Sequence, residues 1–276
     1  MVKNNKVHHI DAIHGLLSLE DSTVDLVITS PPYADMKKYV DGSKGIPVKQ
    51  YVLWLMDHVR EIERVLKPTG SFILNINDKV SNKFRDPYVY ELIYKITDST
   101  TLKLYERLFW NKGKGLSHPK RFGDKIEYLF WFAKTDNFTF NIDEMRVPYS
   151  ESSLKRFKKP IKKRYNRTEG DDKVEYKDWG PNPKGALPST LINIGSESKR
   201  ISDNHIAVYP EALVDYLIKG ATNEGDLVLD PFMGSGTTGV SAKKLKRGWI
   251  GFDNIEEYVN FANKRIDSTK VNDKMS

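Results

Sequence analysis

The chain has 276 residues and a formal net charge of +7, from 44 Lys and Arg against 37 Asp and Glu, a balance that favours an acidic partner because clustered cations neutralise phosphates and release counterions. It contains no cysteine, which excludes disulfides, Cys-ligated zinc, iron–sulfur clusters and a thiol nucleophile. No run reaches the ~18 apolar residues that span a bilayer, and Met1 to Lys6 leads into no apolar secretion-signal stretch, so no membrane association and a cytoplasmic location are expected.

The length suits one α/β domain with an insertion. Val7 to Ile10 reads as a short strand ending at Asp11, and Ala12 to Leu17 as the start of a helix that Asp11 would cap. Val24 to Thr29 is β-branched and apolar, with Asp25 at its start, the pattern of a strand covered on both faces. Pro31 and Pro32 end it, since each lacks an N–H and fixes φ, and the chain leaves as a stiff loop. That loop presents the Ser30 hydroxyl and the Ser30 and Pro31 carbonyls as acceptors, with the Tyr33 ring beside them. Such a set suits a planar group bearing an amino substituent. The Lys- and Gly-rich residues 34–49 show no period and read as a mobile loop beside this motif, able to fold over a ligand.

Val52, Leu55, Val59, Ile62 and Leu66 step by three and four, predicting a helix from Gln50 to Lys67 that Lys67-Pro68-Thr69-Gly70 stops. Ser71 to Ile76 is the next buried strand, and Asn77 and Asp78 after it read mostly as turn chemistry. Residues 87–97 give a second helical pattern. Leu104 to Trp110 and Ile126 to Phe132 read as paired aromatic strands; the basic stretch between them includes Lys120 and Arg121. From Lys155 to Arg167 the chain carries eight Lys or Arg in thirteen residues and no acid: Lys155, Arg156, Lys158, Lys159, Lys162, Lys163, Arg164 and Arg167, with Phe157 and Tyr165 interleaved. Phosphates and base faces are what this mixture can hold, a solvated basic run being the alternative.

Residues 189–198 return to apolar-polar order, and Asn204 to Leu213 opens a helix running to about Lys219. Asp226 to Asp230 is a further strand. Gly234, Gly236 and Gly239 follow it at G-x-G-x-x-G spacing, and the strand Trp249 to Phe252 ends in Asp253, about twenty positions on, where a ribose hydroxyl would be held. Strand, glycine turn, helix, strand and acid make a nucleoside-binding unit. No Lys follows in the G-x-x-x-x-G-K-[ST] pattern, which disfavours a triphosphate loop. Glu256 to Ile266 is the last helix. The six histidines show no ligand spacing, and no metal is expected.

Thr-Ser-Pro-Pro-Tyr at 29–33 together with Asp-Pro-Phe-Met-Gly-Ser-Gly-Thr-Thr at 230–238 resembles the amino-methylating DNA methyltransferases of the N-4/N-6 DNA methylase family. The order, catalytic motif first and glycine turn last, resembles their circularly permuted beta group, and Ser-Pro-Pro-Tyr resembles the N4-cytosine members; adenine-N6 members more often carry Asp in place of Ser30. The resemblance implies a doubly wound, mostly parallel Rossmann-like sheet with an inserted DNA-recognition segment: residues 1–134 as the catalytic half, 135–187 for target recognition, 188–267 as the cofactor half and 268–276 as a polar tail. It implies S-adenosyl-L-methionine as cofactor, bound by Asp11, Ala12, Ser30, His205, Tyr209, Pro210, Asp230, Pro231, Phe232, Gly234, Ser235, Gly236, Thr237, Thr238 and Asp253. Ser30, Pro31, Pro32 and Tyr33 would be catalytic. Double-stranded DNA is the implied partner, contacted by the basic run and by Lys120 and Arg121, in a restriction–modification system whose endonuclease acts on the same site. The cysteine-nucleophile route of C5-cytosine methylation is impossible for this composition. Adenine-N6 methylation, RNA methylation, a nicotinamide-dependent oxidoreductase and an idle DNA-binding module are the competing readings; the oxidoreductase would normally open with its glycine unit, whereas this chain closes with it.

Overall fold

The structure, a computed structural model, describes residues 2–34, 45–81, 83–113, 120, 122–158, 181–195 and 209–271. Eight strands form one sheet in the order β1-β10-β9-β2-β3-β7-β6-β8. These are β1 (Lys6–His9), β2 (Val24–Thr29), β3 (Leu66–Ile76), β6 (Lys103–Asn111), β7 (Ile126–Ala133), β8 (Leu191–Asn193), β9 (Leu227–Asp230) and β10 (Gly248–Asp253). β4 (Val80–Ser81) and β5 (Phe84–Arg85) form a small separate hairpin. From β1 across to β3 the pairing is parallel; β7 runs antiparallel to both β3 and β6, and β8 is parallel to β6.

The helices are α1 (Ala12–Leu17), α2 (Val48–Val65), α3 (Tyr88–Ser99), α4 (Glu151–Phe157), α5 (Glu211–Ala221), α6 (Thr237–Lys244) and α7 (Glu256–Asp267). They cover both faces. Leu16 of α1, Val52, Leu55, Val59 and Ile62 of α2, and Val89 and Leu92 of α3 pack in one apolar cluster with Val24 and Val27 of β2. Leu213 and Leu217 of α5, Val240 of α6 and Val259 of α7 pack in a second with Leu26 and Ile28. Leu26, Val27 and Ile28 thus alternate between opposite cores, which is why this part of the strand has no polar face.

Val48–Val65 ends one residue before Leu66, which is already extended and paired with Val24. The expected stop at Lys67-Pro68-Thr69-Gly70 is therefore a bulge inside β3, because pairing resumes at Leu26 with Ser71. Proline cannot donate to the ladder, so the four residues leave it and Lys67 reaches back to Asp25 at 2.8 Å. Asp25 also accepts the Leu227 N–H at 2.9 Å, tying together the starts of β2, β3 and β9. The helix expected to open at Asn204 begins, in its described part, at Glu211, with Pro210 as its N-cap.

Within the interval 135–187, the first residues are still packed on the body of the domain. Phe138 and Phe140 pack edge-on against Tyr105 and Trp131. Asn141 donates to the carbonyls of Lys219 and Thr222 at the end of α5. Met145 is buried so closely on α5 that a Cβ at Gly220 would lie 2.3 Å from its sulfur. Val147 then pairs with Ala186, closing the base of the excursion.

Candidate active site

β2 and β9 are parallel neighbours, yet β2 leads to α2 on one face and β9 to α6 on the other. This is the reversal point of a doubly wound sheet, where a crevice opens outside the carboxyl ends of the strands. The two strand ends are joined by Asp230. Fully buried, it accepts from the Thr29 hydroxyl at 2.6 Å and the Phe232 N–H at 3.0 Å on one oxygen, and from the hydroxyls of Thr238 at 2.6 Å and Tyr209 at 3.1 Å on the other. Burial raises its carboxyl above the usual carboxylate range while the four donors hold that rise in check. Burial, with Asp230 beside it, also drives the Tyr209 phenol well up, so it remains a donor.

The glycine turn is built from backbone demands. Gly234 and Gly236 have φ of +53° and +84°, in the left-handed region. A Cβ on Gly236 would also lie 2.9 Å from Ala262 of α7, and one on Gly239 would lie 2.4 Å from Ile266. The last two glycines therefore serve close packing of α6 on α7. At Gly234 the space is open, since a Cβ there would meet only the Phe232 carbonyl at 4.0 Å. Asp253 closes that side. Its carboxylate accepts the N–H groups of Gly234 at 3.0 Å and Ile255 at 2.9 Å, and burial pushes its pKa up to about 6. An open turn faced by a desolvated carboxylate with lone pairs to spare fits a ribose-bearing ligand.

Asp11 lies next to this acid, because His9 pairs with Asp253 and the Ile10 N–H donates to the Asp253 carbonyl at 3.0 Å. Asp11 is half-exposed and accepts the Ile13 N–H at 3.1 Å as the helix cap. Phe232 turns its ring onto Trp54 and His58 of α2, at 5.6 and 5.3 Å between centroids. His205 lies outside the described residues.

Tyr33 sits across the crevice. Its hydroxyl donates to Glu127 at 3.0 Å and to Asn75 at 3.3 Å, and receives the Ser30 hydroxyl at 3.5 Å. Burial, with Glu127 beside it, raises this phenol well above its ordinary range. Glu127 is paired in turn with Lys112 at 2.9 Å. Asn77 and Asp78 do more than turn the chain: both are buried, Asp78 is paired with Arg85 of β5, and the Asn77 carbonyl accepts the Tyr88 hydroxyl.

The structure thus brings together Asp11, Ser30 to Tyr33, Tyr209, Asp230 to Thr238 and Asp253 from four strand ends. Lys155, Arg156 and Lys158 are exposed on α4 and at its end, and Lys120 is exposed in the loop after β6. Arg121 and residues 159–167 lie outside the described residues, as do residues 35–44 of the loop expected over 34–49, whose last two residues, Val48 and Lys49, instead open α2. Sequence reasoning misses four side chains. Glu127, Asn75 and Lys112 read as ordinary strand or loop positions. Arg265 of α7 braces the glycine turn from behind, donating to the Ser235 carbonyl at 3.0 Å and to Glu211 at 2.6 Å. Only the isolated acid in an otherwise aromatic strand, Glu127, carries a signal that could have been used.

The sequence matches the model of the DNA methylase family, the N6/N4 methyltransferases, over residues 24–264. It is 31% identical to the type II methyltransferase M.BglII of Bacillus subtilis over 94% of this chain and 68% of that one. It is 29% identical to the DNA adenine methyltransferase YhdJ of Escherichia coli over 94% and 81%. Among solved structures, the cytosine-N4-specific PvuII DNA methyltransferase superposes with a TM-score of 0.71 at 22% identity, covering 98% of this chain and 92% of that one. A DNA modification methylase of Thermus thermophilus, complexed with S-adenosyl-L-methionine, superposes at 0.62 and 22% identity, covering 97% and 99%.

Proposed function

The chain belongs to the DNA methylase family of N6/N4 amino-methyltransferases, and from that premise we propose that it transfers a methyl group from S-adenosyl-L-methionine to the exocyclic N4 of cytosine in double-stranded DNA, within a restriction–modification system. The observation that carries this reading is the junction of Ser30-Pro31-Pro32-Tyr33 with the glycine turn, made through the 2.6 Å bond from Thr29 to Asp230. On this reading the bond would set amino-group acceptors beside a nucleoside-binding turn at adjoining strand ends. Ser30, where adenine-specific members more often carry Asp, supports cytosine; the likeness to YhdJ keeps adenine N6 as the second reading.

When bound, S-adenosyl-L-methionine supplies an electrophilic sulfonium methyl. Asp253 would accept from its ribose hydroxyls and Asp11 and Ala12 would border its adenine. The Asp230 to Thr238 turn with Tyr209 and Pro210 would border the methionine end. The amino nitrogen of a base is a weak nucleophile because its lone pair is delocalised into the ring. Ser30 and the Pro31 carbonyl would accept its hydrogens and favour a tetrahedral nitrogen as the C–N bond forms, the S–C pair returns to sulfur and one amino proton passes to solvent. Extruding the base costs a few kcal/mol, part of which stacking on Tyr33 offsets. The exposed cations of α4 would meet phosphates. Among the described residues no helix is long and apolar enough to cross a membrane; a cytoplasmic enzyme acting beside a cognate endonuclease is the setting proposed.

Mass spectrometry of nucleosides from DNA incubated with the protein and S-adenosyl-L-methionine tests this reading. N4-methylcytosine is expected. N6-methyladenine would keep the chemistry and overturn the role given to Ser30, and an absence of methylated base on DNA of varied sequence would overturn the reading.

Asp253 gives the site a pH dependence. Its pKa of about 6 lies above that of an unfolded aspartate, so between those two values the folded state binds more protons and this group's contribution to stability falls as pH rises. Cofactor binding should move the other way, because the ionised carboxylate accepts two hydroxyls better than the protonated one. Calorimetric affinity is expected to weaken on acidification from pH 7.5 to 5. Asp253→Asn should flatten that dependence, and Asp253→Ala should cost about 1–3 kcal/mol of binding at pH 7.5. An unchanged affinity in both variants would remove the ribose assignment.

A further inference from the structure

The polar chain running from Ser30 to Glu127 contains more order than a pocket wall requires. Ser30 Oγ–H points to Tyr33 Oη, and Tyr33 Oη–H points to Glu127 Oε2, its shorter acceptor. Asn75 Nδ2 donates to the same Oε2 at 3.3 Å and to the Tyr128 carbonyl at 3.1 Å, while Lys112 Nζ donates to Oε1 at 2.9 Å. The carboxylate and the ammonium are 16% and 22% exposed, sheltered enough to hold one arrangement.

A hydroxyl can point either way along a chain, but an ionised carboxylate only accepts. A chain that ends on a carboxylate therefore has a direction, with every proton directed towards it. At Ser30 the consequence is specific: its proton is directed towards Tyr33 Oη, 3.5 Å away, which leaves its lone pairs for another donor. We propose that the Glu127 carboxylate, held in place by Lys112, is a positioning residue that fixes the direction of the Ser30–Tyr33 hydroxyl chain and thereby makes Ser30 an acceptor towards the substrate amino group. This rests on the methyltransferase reading. A structural role alone would require less. The register pairs Glu127 with Trp110, and an ion pair bracing the β6–β7 hairpin would have no coupling to Tyr33.

The two roles separate in a double-mutant cycle on the full chain, with Tyr33→Phe, Glu127→Gln and the double variant. Glutamine keeps the shape of Glu127 but offers donors, so the chain loses its direction. Phenylalanine keeps the ring of Tyr33 and removes the relay. Single-turnover methyl transfer to DNA is expected to slow about tenfold in each single variant, with calorimetric affinity for S-adenosyl-L-methionine unchanged. The double variant is expected to be no slower than the slower single one. Losses that multiply, or a Glu127→Gln rate equal to the parent's, would overturn the proposal. If melting shows that Glu127→Gln does not fold, Lys112→Met enters the same cycle, where non-additivity with Tyr33→Phe supports the proposal and multiplying losses overturn it. A parent that methylates no DNA would instead sink the methyltransferase reading on which the proposal stands.

Discussion

Asp230→Ala lowers the melting temperature by about 6–20 °C, taking ~3–5 kcal/mol for breaking a buried charged network and ~2–4 °C per kcal/mol for a domain of this size. The loss is large because the carboxylate is not an isolated ligand. It receives the hydroxyls of Thr29, Thr238 and Tyr209 and the N–H of Phe232 together. Removing it strands four donors in an interior that water does not reach, and the penalty for unmade bonds exceeds the net worth of made ones. Asp230→Asn is expected to melt between the parent and the alanine variant. Its amide oxygen can still accept from Thr29 and Phe232, and the hydroxyls of Thr238 and Tyr209 can turn to accept from its NH2. Cofactor affinity should follow stability in this pair, since the same bonds fix the end of β2 against the glycine turn. Melting of Asp230→Ala at the parent temperature would show that the two strand ends are not held through this residue.

The role of Asp230 in binding strands together, as distinct from any contact with a ligand, was not legible in the sequence. Asp-Pro after a strand announces a turn, but the hydroxyls that reach Asp230 from Thr29 and Tyr209, outside the glycine turn, are a tertiary fact. The strands themselves were legible for a plain reason. Val24 to Thr29 and Leu227 to Asp230 are apolar without alternation because helices cover both faces, and that pattern predicts a parallel interior. Their adjacency places the glycine turn and the proline loop together at the reversal of winding. The bulge at Lys67 to Gly70 is easily misread because a proline–glycine pair stops a helix and breaks a ladder with the same chemistry. Only the pairing of Leu66 with Val24 shows which of the two it did.

The candidate site divides along the same line. Backbone requirements, such as the positive φ of Gly234 and Gly236, are written in the residue type and could be read directly. Side-chain partnerships across the sheet could not. Glu127 meets Tyr33 because β7 lies antiparallel beside β3, so that the start of β7 and the end of β3 coincide. No local pattern around residue 127 encodes that meeting. Asp11 shows the converse: the cap was legible and is present at 3.1 Å, while its closeness to Asp253 depends on β1 joining the far edge of the sheet beside β10.

Tyr33→Ala lowers turnover about fiftyfold to a thousandfold while leaving affinity for S-adenosyl-L-methionine within about twofold, taking ~1–3 kcal/mol for the stacking of one base at ~1.4 kcal/mol per decade of rate, on top of the about tenfold loss expected from removing its hydroxyl. The split follows from where the side chain sits. Tyr33 contacts Ser30, Asn75 and Glu127 at the ends of β2, β3 and β7, whereas the glycine turn and Asp253 lie at the ends of β9 and β10. Truncation removes the ring that would hold an extruded base and releases the Ser30 hydroxyl from its acceptor, but it leaves the Thr29–Asp230 bond untouched. Tyr33→Phe should recover the part of the loss that belongs to stacking, so its rate is expected between those of the parent and Tyr33→Ala. Single-turnover rates with calorimetry on the same preparations decide the matter. Equal losses of turnover and cofactor affinity in Tyr33→Ala would mean that the residue supports the crevice as a whole and does not act on the base.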